Sequence, residues 1–564
     1  METLNGILLF IMFIIVCFYA GDAVRFEGRT LRIERGYTGE FALGKWARYA
    51  VIAVGAIGII LRLVEFSTVP GGVNQDGAMA AVDANALAHH ATDRFGTVLP
   101  AHLYAWGYGQ MSSLLSYLMV PWIWIGGLNT FTMRVPILIA SLAGIAAMYF
   151  IVRELINRDV ALIAACAVSV CPWHFMQSRW ALDCNLFPHM FLLGLMFIVL
   201  GICKKKYFLY ISMIFFALCM YSYGVSFVMV PLFLLIASII LVRAKFAKIK
   251  DILISAAVYI AISWPIYITM AINALKADTV KLPFVTMQYF DQSVRMNDLL
   301  FYSENIPGQL AKNFETMVKV VLLQKRDSIW NALDLYGSVY KLSAPLILLG
   351  AAIVIRRCFG QATVQRAIYR LIITFCATAA GLGLVVNNVN VNRINIIFYA
   401  NLILIVIAAV ELVTWLGKLK IGFIIVYLFL ITCFFVTYFT TYKTQIRHYF
   451  YADFLEALDF AEEQDYDRYY ITPDTQYRGS RDVSEILTLF EMNIDSEYFQ
   501  GKTFEHNGKQ IPYSSRFVYA NPLDTSMEPL DNVCYIFKTE DLDPDLWYAW
   551  QLKQFGEYTV AYIE

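Results

Sequence analysis

The sequence predicts a polytopic all-α membrane protein, with about 12 transmembrane helices and a small α/β domain at its C-terminal end. Three observations support this fold class. Of the 564 residues, 59% are hydrophobic and 16% are charged, whereas soluble domains carry about 25% charged residues. Apolar runs of roughly 20 residues, long enough to cross the hydrocarbon core of a bilayer, recur along the chain. From about residue 442 the composition changes to short strand-like and helix-like segments.

The predicted membrane spans share strong hydrophobicity and near absence of charge. They are roughly 4–22, 46–64, 132–152, 160–174, 185–203, 207–221, 225–242, 252–271, 342–356, 369–387, 394–415 and 421–441. The first run lacks a basic n-region and a small-residue cleavage site, so we interpret it as a retained helix rather than a signal peptide.

The distribution of basic residues indicates whether one further apolar stretch, 112–128, crosses the membrane. If it does not cross, the basic clusters fall on one side of the membrane, as the positive-inside rule requires. The opposite short loops then hold few basic residues beyond Arg94, Arg179 and Arg393. If 112–128 crossed, every later cluster would change sides. We therefore predict that it lies in the interface or re-enters.

This topology defines three units. Residues 1–45 form an extra N-terminal transmembrane helix and a basic cytoplasmic loop, and residues 46–441 form the transmembrane core. Residues 442–564 form an extracytoplasmic α/β domain large enough for its own core, whose aromatic residues we interpret mainly as core. The core has two long outer loops, 65–131 and 273–341, and we expect the second to cover the site as a mobile lid.

Composition excludes some classes of protein. The formal net charge is zero, and no basic patch suggests a nucleic-acid partner. The ten cysteines lie mostly inside apolar runs, and only Cys534 lies in a clearly polar region. Neither a disulfide framework nor CxxC metal spacing is visible.

The stretch 73–93 (VNQDGAMAAVDANALAHHATD) is polar for a segment beside a membrane span. Asp76, Asp83 and His90 follow one another at intervals of seven residues, so on a helix they share a face with steps of about 10 Å. The apolar side of this helix would face lipid or protein. Ionisable groups at membrane level are costly and tend to mark functional sites.

Simpler interpretations exist for each of these residues taken alone. Asp is a favoured N-cap, so Asp76 could serve only to cap the helix. His89 and Asp93, spaced i and i+4, could bind a metal or form a solvated face. Asp76, His89 and Asp93 are the candidate ligands for a divalent metal.

A second polar cluster lies at 171–188 (CPWHFMQSRWALDCNLFP), between two apolar spans on the same outer side. It contains His174, Arg179 and Asp183. Arg179 and Asp183 could be no more than an i, i+4 pair on a helix surface. Its tryptophans suit an interfacial belt.

A third polar cluster lies at 387–395 (NNVNVNRIN), again facing outward. Its asparagines, including Asn392, and Arg393 suit an oxyanion, because guanidinium binds phosphate in a planar fork. The alternative is a polar loop with one snorkelling arginine. Three outward loops thus bring polar groups to the level where a lipid-linked phosphate would lie. The chemistry that fits is attack on a sugar carbon with a lipid phosphate as leaving group, a carboxylate base and cationic stabilisation.

These residues resemble those of the C-type (GT-C) membrane glycosyltransferases, in the branch related to protein O-mannosyltransferases and aminoarabinose transferases. The block PWHFMQSRWALDCNLFP is the most specific part of the resemblance. Asp76 stands where the family has an Asp-Glu motif, and ATDRFG, GLNTFTMRVP with Arg134, and NVNRINIIF match further elements. The resemblance covers roughly residues 46–440. It departs from the family at Gly77, which replaces the usual second acidic residue.

The resemblance implies a GT-C-like fold and an inverting transfer of a sugar from a polyprenyl-phosphate donor to an acceptor hydroxyl. The acceptor would be a glycan, a protein or a lipid, and the site would lie on the extracytoplasmic face of a bacterial cytoplasmic membrane. Asp76, Asp93 and Asp183 are the candidate catalytic carboxylates. The candidate substrate-binding residues are Arg134, His174, Arg179, Asn392 and Arg393.

Two other classes compete with an enzyme. A transporter of lipid-linked substrates should show internal repeats and broken helices near the bilayer midplane, and neither is visible here. Gly77 leaves open a non-catalytic protein of the same fold that binds lipid-linked glycans without transferring them. Loss of turnover with retained lipid binding would separate it from a transferase.

Overall fold

The computed structural model describes residues 2–27, 30–33, 41–106, 109–291, 299–359, 363–477, 479–521, 532–542, 547 and 550–563. The helices of the membrane core and its outer loops are α1 Glu2–Ala23, α2 Lys45–Ile60, α3 Gln75–His90, α4 Leu114–Gly126, α5 Thr130–Leu155, α6 Arg158–Ser169, α7 Pro172–Gln177, α8 Asp183–Cys203, α9 Tyr207–Ser222, α10 Ser226–Arg243, α11 Ile249–Leu275, α12 Ile306–Met317, α13 Ala344–Arg357, α14 Thr363–Val385, α15 Val391–Ile394, α16 Ile397–Trp415, α17 Lys420–Thr437 and α18 Lys443–Tyr449. The tail contributes α19 Ala452–Glu463, α20 Arg481–Glu491, α21 Ser496–Phe499 and α22 Tyr513–Arg516.

Short strands accompany these helices. They are β1 Val24–Glu27, β2 Thr30–Ile33, β3 His102–Leu103, β4 Met111–Ser112, β5 Val280–Leu282, β6 Val285–Met287, β7 Arg468–Ile471, β8 Thr503–His506, β9 Lys509–Pro512, β10 Phe517–Tyr519, β11 Val533–Lys538, β12 Gln551–Phe555 and β13 Tyr558–Tyr562.

All twelve predicted spans contain helix, but they differ in length. Within the described residues, eight helical segments are long and apolar enough to cross a membrane, and they include α1, α5, α8, α10, α11, α14, α16 and α17. The other four predicted spans correspond to α2, α6, α9 and α13, which have 12 to 16 residues. The chain is a multi-pass helical membrane protein, and the predicted fold class is confirmed.

The stretch 112–128 forms α4, a helix of 13 residues with Pro121 inside it. Thirteen residues rise about 20 Å, too little to cross about 30 Å of hydrocarbon. The helix instead lies on α3, because Ser116 Oγ donates to Ala80 O at 2.8 Å and Trp124 Nε1 donates to Ala88 O at 2.7 Å. This geometry agrees with the prediction that the stretch does not span.

The polar helix of the sequence is α3, and protein covers it on more than one side. Met79 and Val82 are 2% and 3% exposed, with α4 on one side and α20 of the tail on another. Of the two surfaces predicted for its apolar side, the structure therefore gives protein and not lipid.

The tail folds around a five-stranded sheet of order β10-β7-β11-β13-β12. β7 is parallel to β10 and β11, and β13 is antiparallel to β11 and β12. Helix α19 packs on β11, β12 and β13. The sequence predicts strands at 468–472, 516–520, 533–537 and 558–563 and helices at 454–464 and 482–492. All six occur, as β7, β10, β11, β13, α19 and α20, within two residues of these bounds. Trp547 is 2% exposed, as expected of a core residue.

Candidate active site

Asp76 lies in the first turn of α3, but it does not cap that helix. The N-cap is Asn74, whose side chain accepts a hydrogen bond from the Asp76 amide at 3.0 Å. The Asp76 carboxylate is half-buried and receives the indole N–H of Trp106 on Oδ1, at 2.7 Å. Among the described residues Oδ2 has no hydrogen-bond donor. The carboxylate is therefore oriented by one donor, and its second oxygen remains able to accept a hydrogen bond or a proton.

Gly77, next to Asp76, is required by packing. A Cβ atom at this position would lie 2.5 Å from the carbonyl oxygen of Ala181, a backbone atom, and 3.2 Å from Met133 Cε. Real Cβ atoms do not approach backbone oxygen so closely. The N-terminal turn of α3 is thus in direct contact with the segment between α7 and α8, and this contact leaves no room for an acidic side chain.

We expect Gly77→Asp to lower stability and not to raise activity. The new side chain must push the 180–182 segment away from α3, and overpacking of this kind costs about 1–3 kcal/mol. The measurement is the apparent melting temperature of the detergent-purified protein. Gly44→Asp is the control, because Gly44 has a φ of −61° that suits any residue and its added Cβ meets no atom within 4 Å. At this N-cap position an aspartate should be neutral or slightly stabilising. An unchanged melting temperature for Gly77→Asp would contradict this packing argument.

The three polar clusters of the sequence meet in space. Gly77 at the start of α3 contacts Ala181. Two residues further on, Asp183 begins α8, and Cys184 O accepts a hydrogen bond from Asn395 Nδ2 at 2.8 Å. Asn395 directly follows α15, which carries Arg393. Segments from the three clusters are thus in contact, and the predicted placement of the clusters at the outer face of the membrane stays a prediction.

A cavity of about 510 Å³ opens beside this junction. Its polar lining includes Gln110, Ser112 and Arg393, and much of the rest is apolar. The apolar lining includes Val225, Phe227, Val228, Met270, Ala271, Ala274, Leu299 and Val386. A cationic group at one place and an apolar wall beside it form a surface that suits an amphiphile with an anionic head.

A hairpin links the cavity to Asp76. Strands β3 and β4 pair antiparallel, with His102 opposite Ser112, and both of these residues line the cavity. Trp106, the donor to Asp76, lies three residues beyond Leu103 on the same hairpin. Trp106 lies four residues from each of the cavity residues His102 and Gln110, and four extended residues reach at most about 14 Å. The hairpin therefore limits how far the donor to Asp76 lies from the cavity wall.

Arg393 is held in place by its own loop. Its Nη1 donates to Asn387 O at 2.6 Å, and its amide donates to Asn390 Oδ1 at 3.1 Å. From the long outer loop, Asp327 Oδ2 accepts the Val391 amide at 2.6 Å, although burial raises the pKa of this carboxyl. The neighbouring Asn392 is partly exposed, and its buried Oδ1 has no hydrogen-bond partner within the described part of the chain. The 387–395 loop therefore presents an arginine and an unused acceptor near the cavity.

Arg179 has a structural role. It is fully buried, and its guanidinium donates to five backbone carbonyls, those of Leu61, Arg62, Val64, Glu65 and Val69. These carbonyls follow the end of α2, where the last turn of a helix leaves acceptors without partners. The predicted phosphate contact would require these bonds to break. The i, i+4 pairing with Asp183 is also wrong, because α7 ends at Gln177 and α8 begins at Asp183.

Arg134 acts in the same way on the next part of that loop. Its Nη1 donates to Phe66 O at 2.9 Å, and its Nη2 donates to Pro70 O at 2.8 Å and Gly72 O at 2.9 Å. The two arginines together fold residues 61–72 into the connection that delivers Asp76 to the site. Both are positioning residues for the carboxylate, and phosphate binding by them stays a prediction that this geometry disfavours.

We expect Arg179→Lys to destabilise the protein strongly. Lysine keeps the charge but has three donors on one nitrogen, so it cannot reach carbonyls spread along the 61–69 segment. The unpaired buried carbonyls should cost about 3 kcal/mol or more. The measurement is thermal unfolding in detergent micelles, with the exposed Arg153→Lys as the matched control. A melting temperature like that of the control would show that the carbonyl contacts are dispensable.

His174 belongs to a buried hydrogen-bond chain. Arg62 Nη2 donates to His174 Nδ1 at 2.9 Å, so His174 in its neutral form carries its proton on Nε2 and donates to the hydroxyl of Tyr399, also at 2.9 Å. Tyr399 then donates to His189 Nδ1 at 2.7 Å. Gly144 makes room for this chain, since a Cβ there would lie 2.0 Å from the tyrosine hydroxyl. His174 is 1% exposed, so the structure gives it a role inside the bundle and not at a surface that substrate reaches.

The remaining aspartates have local partners. Asp83 is fully buried and forms an ion pair with Arg94, with Oδ2 2.5 Å from Nη1. Asp93 Oδ1 accepts the amides of Phe95 and Thr97 at 3.0 and 2.8 Å, which closes the turn after α3. Asp183 is 5% exposed and begins α8. Of the three predicted catalytic carboxylates, Asp93 thus has a turn-forming role, and the catalytic assignment of each one stays a prediction.

The predicted metal ligands do not come together. Asp76 and His89 lie thirteen residues apart on one helix, a rise of about 20 Å. α3 ends at His90, and Ala91 takes a left-handed conformation with φ of 56°, so His89 and Asp93 lose the i, i+4 relation. In the described part of the chain, the only group of three metal-type ligands is His90, Asp495 and Glu497, where α3 meets the tail. There His90 Nε2 lies 2.9 Å from Asp495 Oδ1.

The fold and this junction define a multi-pass helical membrane protein with a carboxylate and an arginine-lined cavity at one end of its helices. Residues 113–268 match the family described as dolichyl-phosphate-mannose-protein mannosyltransferase. This match confirms the resemblance to the GT-C glycosyltransferases. It covers Arg134, His174, Arg179 and Asp183, and Asp76 and Arg393 lie outside it. No curated protein matches the chain.

Solved structures are similar at low identity. The archaeal oligosaccharyltransferase AglB from Archaeoglobus fulgidus, in complex with an inhibitory peptide and a dolichol-phosphate, is 14% identical with a TM-score of 0.44, and the match covers 76% of this chain and 63% of that one. The chain thus spans less than two thirds of AglB. ArnT from Cupriavidus metallidurans is 11% identical, with a TM-score of 0.43 and coverage of 92% and 98% in the apo state. The same ArnT bound to undecaprenyl phosphate is 11% identical, with a TM-score of 0.42, and the match covers 91% of this chain and 98% of that one. This likeness is distant and decides nothing about substrate or mechanism.

Several functional side chains could not be found from the sequence. Trp106 follows an undistinguished loop, and only the structure places it on Asp76. The described cavity lining comes from five separate segments that no local pattern connects. Asp327, Arg62 and Tyr399 likewise act through contacts with residues 60 or more positions away.

Proposed function

We propose that this protein is a glycosyltransferase that moves a sugar from a polyprenyl-phosphate donor to an acceptor hydroxyl on the extracytoplasmic side of the membrane. The observation that carries the proposal is the pairing of an arginine-lined, largely apolar cavity with the Asp76 carboxylate across the β3–β4 hairpin. The family match over 113–268 supports the same chemistry.

In this proposal the lipid phosphate lies against Arg393 and the first isoprene units lie along Phe227, Val228 and Met270. A guanidinium offers paired donors to phosphate oxygens. The positive charge also stabilises the phosphate as it leaves the sugar, where negative charge develops in the transition state. The 387–395 loop, fixed by Asp327, holds the guanidinium at that place.

Asp76 acts as the general base. Its carboxylate accepts the proton of the acceptor hydroxyl while the oxygen attacks the anomeric carbon, and the bond to the lipid phosphate breaks on the opposite face. The sugar is therefore transferred with inversion. Trp106 holds one carboxylate oxygen, and the other receives the proton. A positioned base of this kind contributes about 10²–10⁴-fold to the rate.

A divalent metal at this site would have fewer protein ligands than the sequence predicts. One AglB structure is a complex with zinc and sulfate. In this chain the described residues place no group of three metal-type side chains at Asp76. Asp76 and Asp183 are the two carboxylates that would hold an ion, and it would supply further stabilisation of the leaving phosphate. The steps above depend on protein groups alone.

The test follows donor consumption by the protein in lipid nanodiscs. A panel of polyprenyl-phosphate sugars is supplied together with cell-envelope extract as the source of acceptor, and released polyprenyl phosphate is measured. We expect one donor to be consumed at a rate that scales with the amount of protein. Binding of donors without consumption of any would favour a non-catalytic or transport protein, and absence of binding would contradict the proposal.

A further inference from the structure

One face of helix α12 packs on the membrane core through the buried Asn313 and Met317. A stripe of Ile306, Leu310 and Phe314 starts on this face at Ile306 and turns away from it toward Phe314. These three residues repeat every four positions and are 44%, 40% and 61% exposed. The opposite face is polar and includes Lys312 and Glu315, with Lys319 in the π-helical turn 318–322 that follows. Large apolar side chains in one stripe, beside a charged stripe, are typical of a helix that lies in a membrane interface.

The level of α12 along the membrane core is given by two contacts. Asn313 Nδ2 donates to Leu384 O at 2.9 Å, and Met317 lies against Gly383, where an added Cβ would be 2.1 Å from Sδ. Residues 383 and 384 belong to the last turn of α14, a helix long and apolar enough to span. Helix α12 therefore lies at the depth where a membrane span ends.

The direction of α12 follows from the same contacts. The two contacting residues on α12 are four positions apart, a rise of about 6 Å, whereas their partners on α14 are one position apart, a rise of about 1.5 Å. The two helices cross and do not run side by side. Its exposed apolar stripe is thus a strip along the rim of the core, in the plane in which lipid headgroups meet acyl chains.

We propose that α12 is an in-plane membrane helix whose Ile306, Leu310 and Phe314 insert into the bilayer. The occupant of this surface is lipid, because the stripe is continuous in depth with the end of a membrane span and its charged neighbours suit headgroups. Lys312 and Lys319 lie where they reach lipid phosphates, and Glu315 forms an i, i+4 pair with Lys319 at 2.5 Å.

This anchoring also fixes the rim of the cavity. The chain runs from Leu299, a cavity residue, through Ser303 to α12, and Asn387 Nδ2 donates to Ser303 Oγ at 3.0 Å. Part of the outer loop predicted as a mobile lid is therefore tied to lipid and to the 387–395 loop. Residues 292–298 of that loop lie outside the described residues, and lid motion stays a prediction. The proposal for α12 does not depend on the proposed enzyme activity.

The experiment measures membrane depth along α12 in full-length protein in nanodiscs of phosphatidylethanolamine and phosphatidylglycerol. A nitroxide amino acid is introduced by nonsense suppression at position 310 or 314, with positions 312 and 315 as matched controls on the polar side. We expect labels at 310 and 314 to collide with oxygen and to be shielded from a water-soluble nickel chelate, and labels at 312 and 315 to show the reverse.

Two results would overturn the proposal. Equal exposure of positions 314 and 315 to the nickel chelate would place the stripe in water. Shielding of 310 and 314 from both reagents would mean that a protein surface covers it. The unmodified protein provides an independent readout that needs no substitution, because a lipid-soluble photoreactive carbene precursor should label the 306–317 peptide in nanodiscs, and its absence from that peptide would also contradict the proposal.

Discussion

Arg393→Gln is expected to lower the affinity for polyprenyl phosphate by about 10- to 100-fold, because a hydrogen-bonded contact with a charged group contributes about 1.5–3 kcal/mol. Arg393 lies on the cavity wall, and its position is set by Asn387 O and by the short helix α15. Glutamine keeps a polar side chain but removes the charge and the paired donors. The measurement is binding of a fluorescent polyprenyl phosphate to protein in nanodiscs.

Two further variants separate charge from geometry. Arg393→Lys keeps the charge without the planar fork and should give an intermediate loss. Arg243→Gln serves as the matched control, since Arg243 is exposed at the far end of α10, about 20 Å along the helix from the cavity residues at its start. Wild-type affinity in Arg393→Gln, or an equal loss in Arg243→Gln, would exclude Arg393 as the phosphate ligand.

Asp76→Asn is expected to reduce sugar transfer by at least about 100-fold while donor binding is retained, because the amide cannot take the acceptor proton. The substitution is nearly isosteric, and its amide oxygen still accepts the indole N–H of Trp106. The loss should therefore be in turnover and not in folding or donor affinity. The measurement is single-turnover release of polyprenyl phosphate from bound donor.

Asp183→Asn tests the alternative assignment. Asp183 begins α8 two residues after the Ala181 carbonyl that contacts Gly77, so it is the candidate for an alternative base. If Asp183→Asn abolishes transfer and Asp76→Asn does not, the base is Asp183, and Asp76 only orients the acceptor. Comparable turnover in wild type and both variants would contradict a carboxylate base at this junction.

The sequence is sufficient to predict the helical membrane fold and the strands and helices of the tail, but not that the three polar clusters contact one another. Hydrophobic run length and the period of polar residues are local properties, and they predicted all twelve helical segments and the sheet of the tail. The non-spanning character of 112–128 followed from charge on distant loops. These features are dictated by transfer free energies that act residue by residue.

Roles of individual polar residues were harder to predict. Arg134 and Arg179 are the residue type expected at a phosphate site, yet both donate hydrogen bonds to backbone carbonyls of the 61–72 connection. A buried guanidinium satisfies whichever acceptors lie nearest, and the acceptors here come from a segment over 60 residues away. Gly77 is a similar case, because only the structure places the Ala181 carbonyl where a side chain would be.

The absence of a second acidic residue at position 77 therefore has a packing explanation. The N-terminal turn of α3 approaches the 180–182 segment so closely that only glycine fits, and the same contact joins the turn that carries Asp76 to the segment that leads into Asp183. A transferase with one carboxylate from each segment is consistent with this arrangement.

The proposed transfer requires that a lipid phosphate occupy the cavity beside Arg393, within reach of Asp76. Photocrosslinking measures this occupancy, with a polyprenyl phosphate that carries a photoreactive group on its first isoprene unit and with the adducts mapped by peptide mass spectrometry. We expect adducts on residues 223–228 and 270–274, and their loss in Arg393→Gln. Adducts confined to other surfaces, such as the groove between α1 and Trp415, would contradict it.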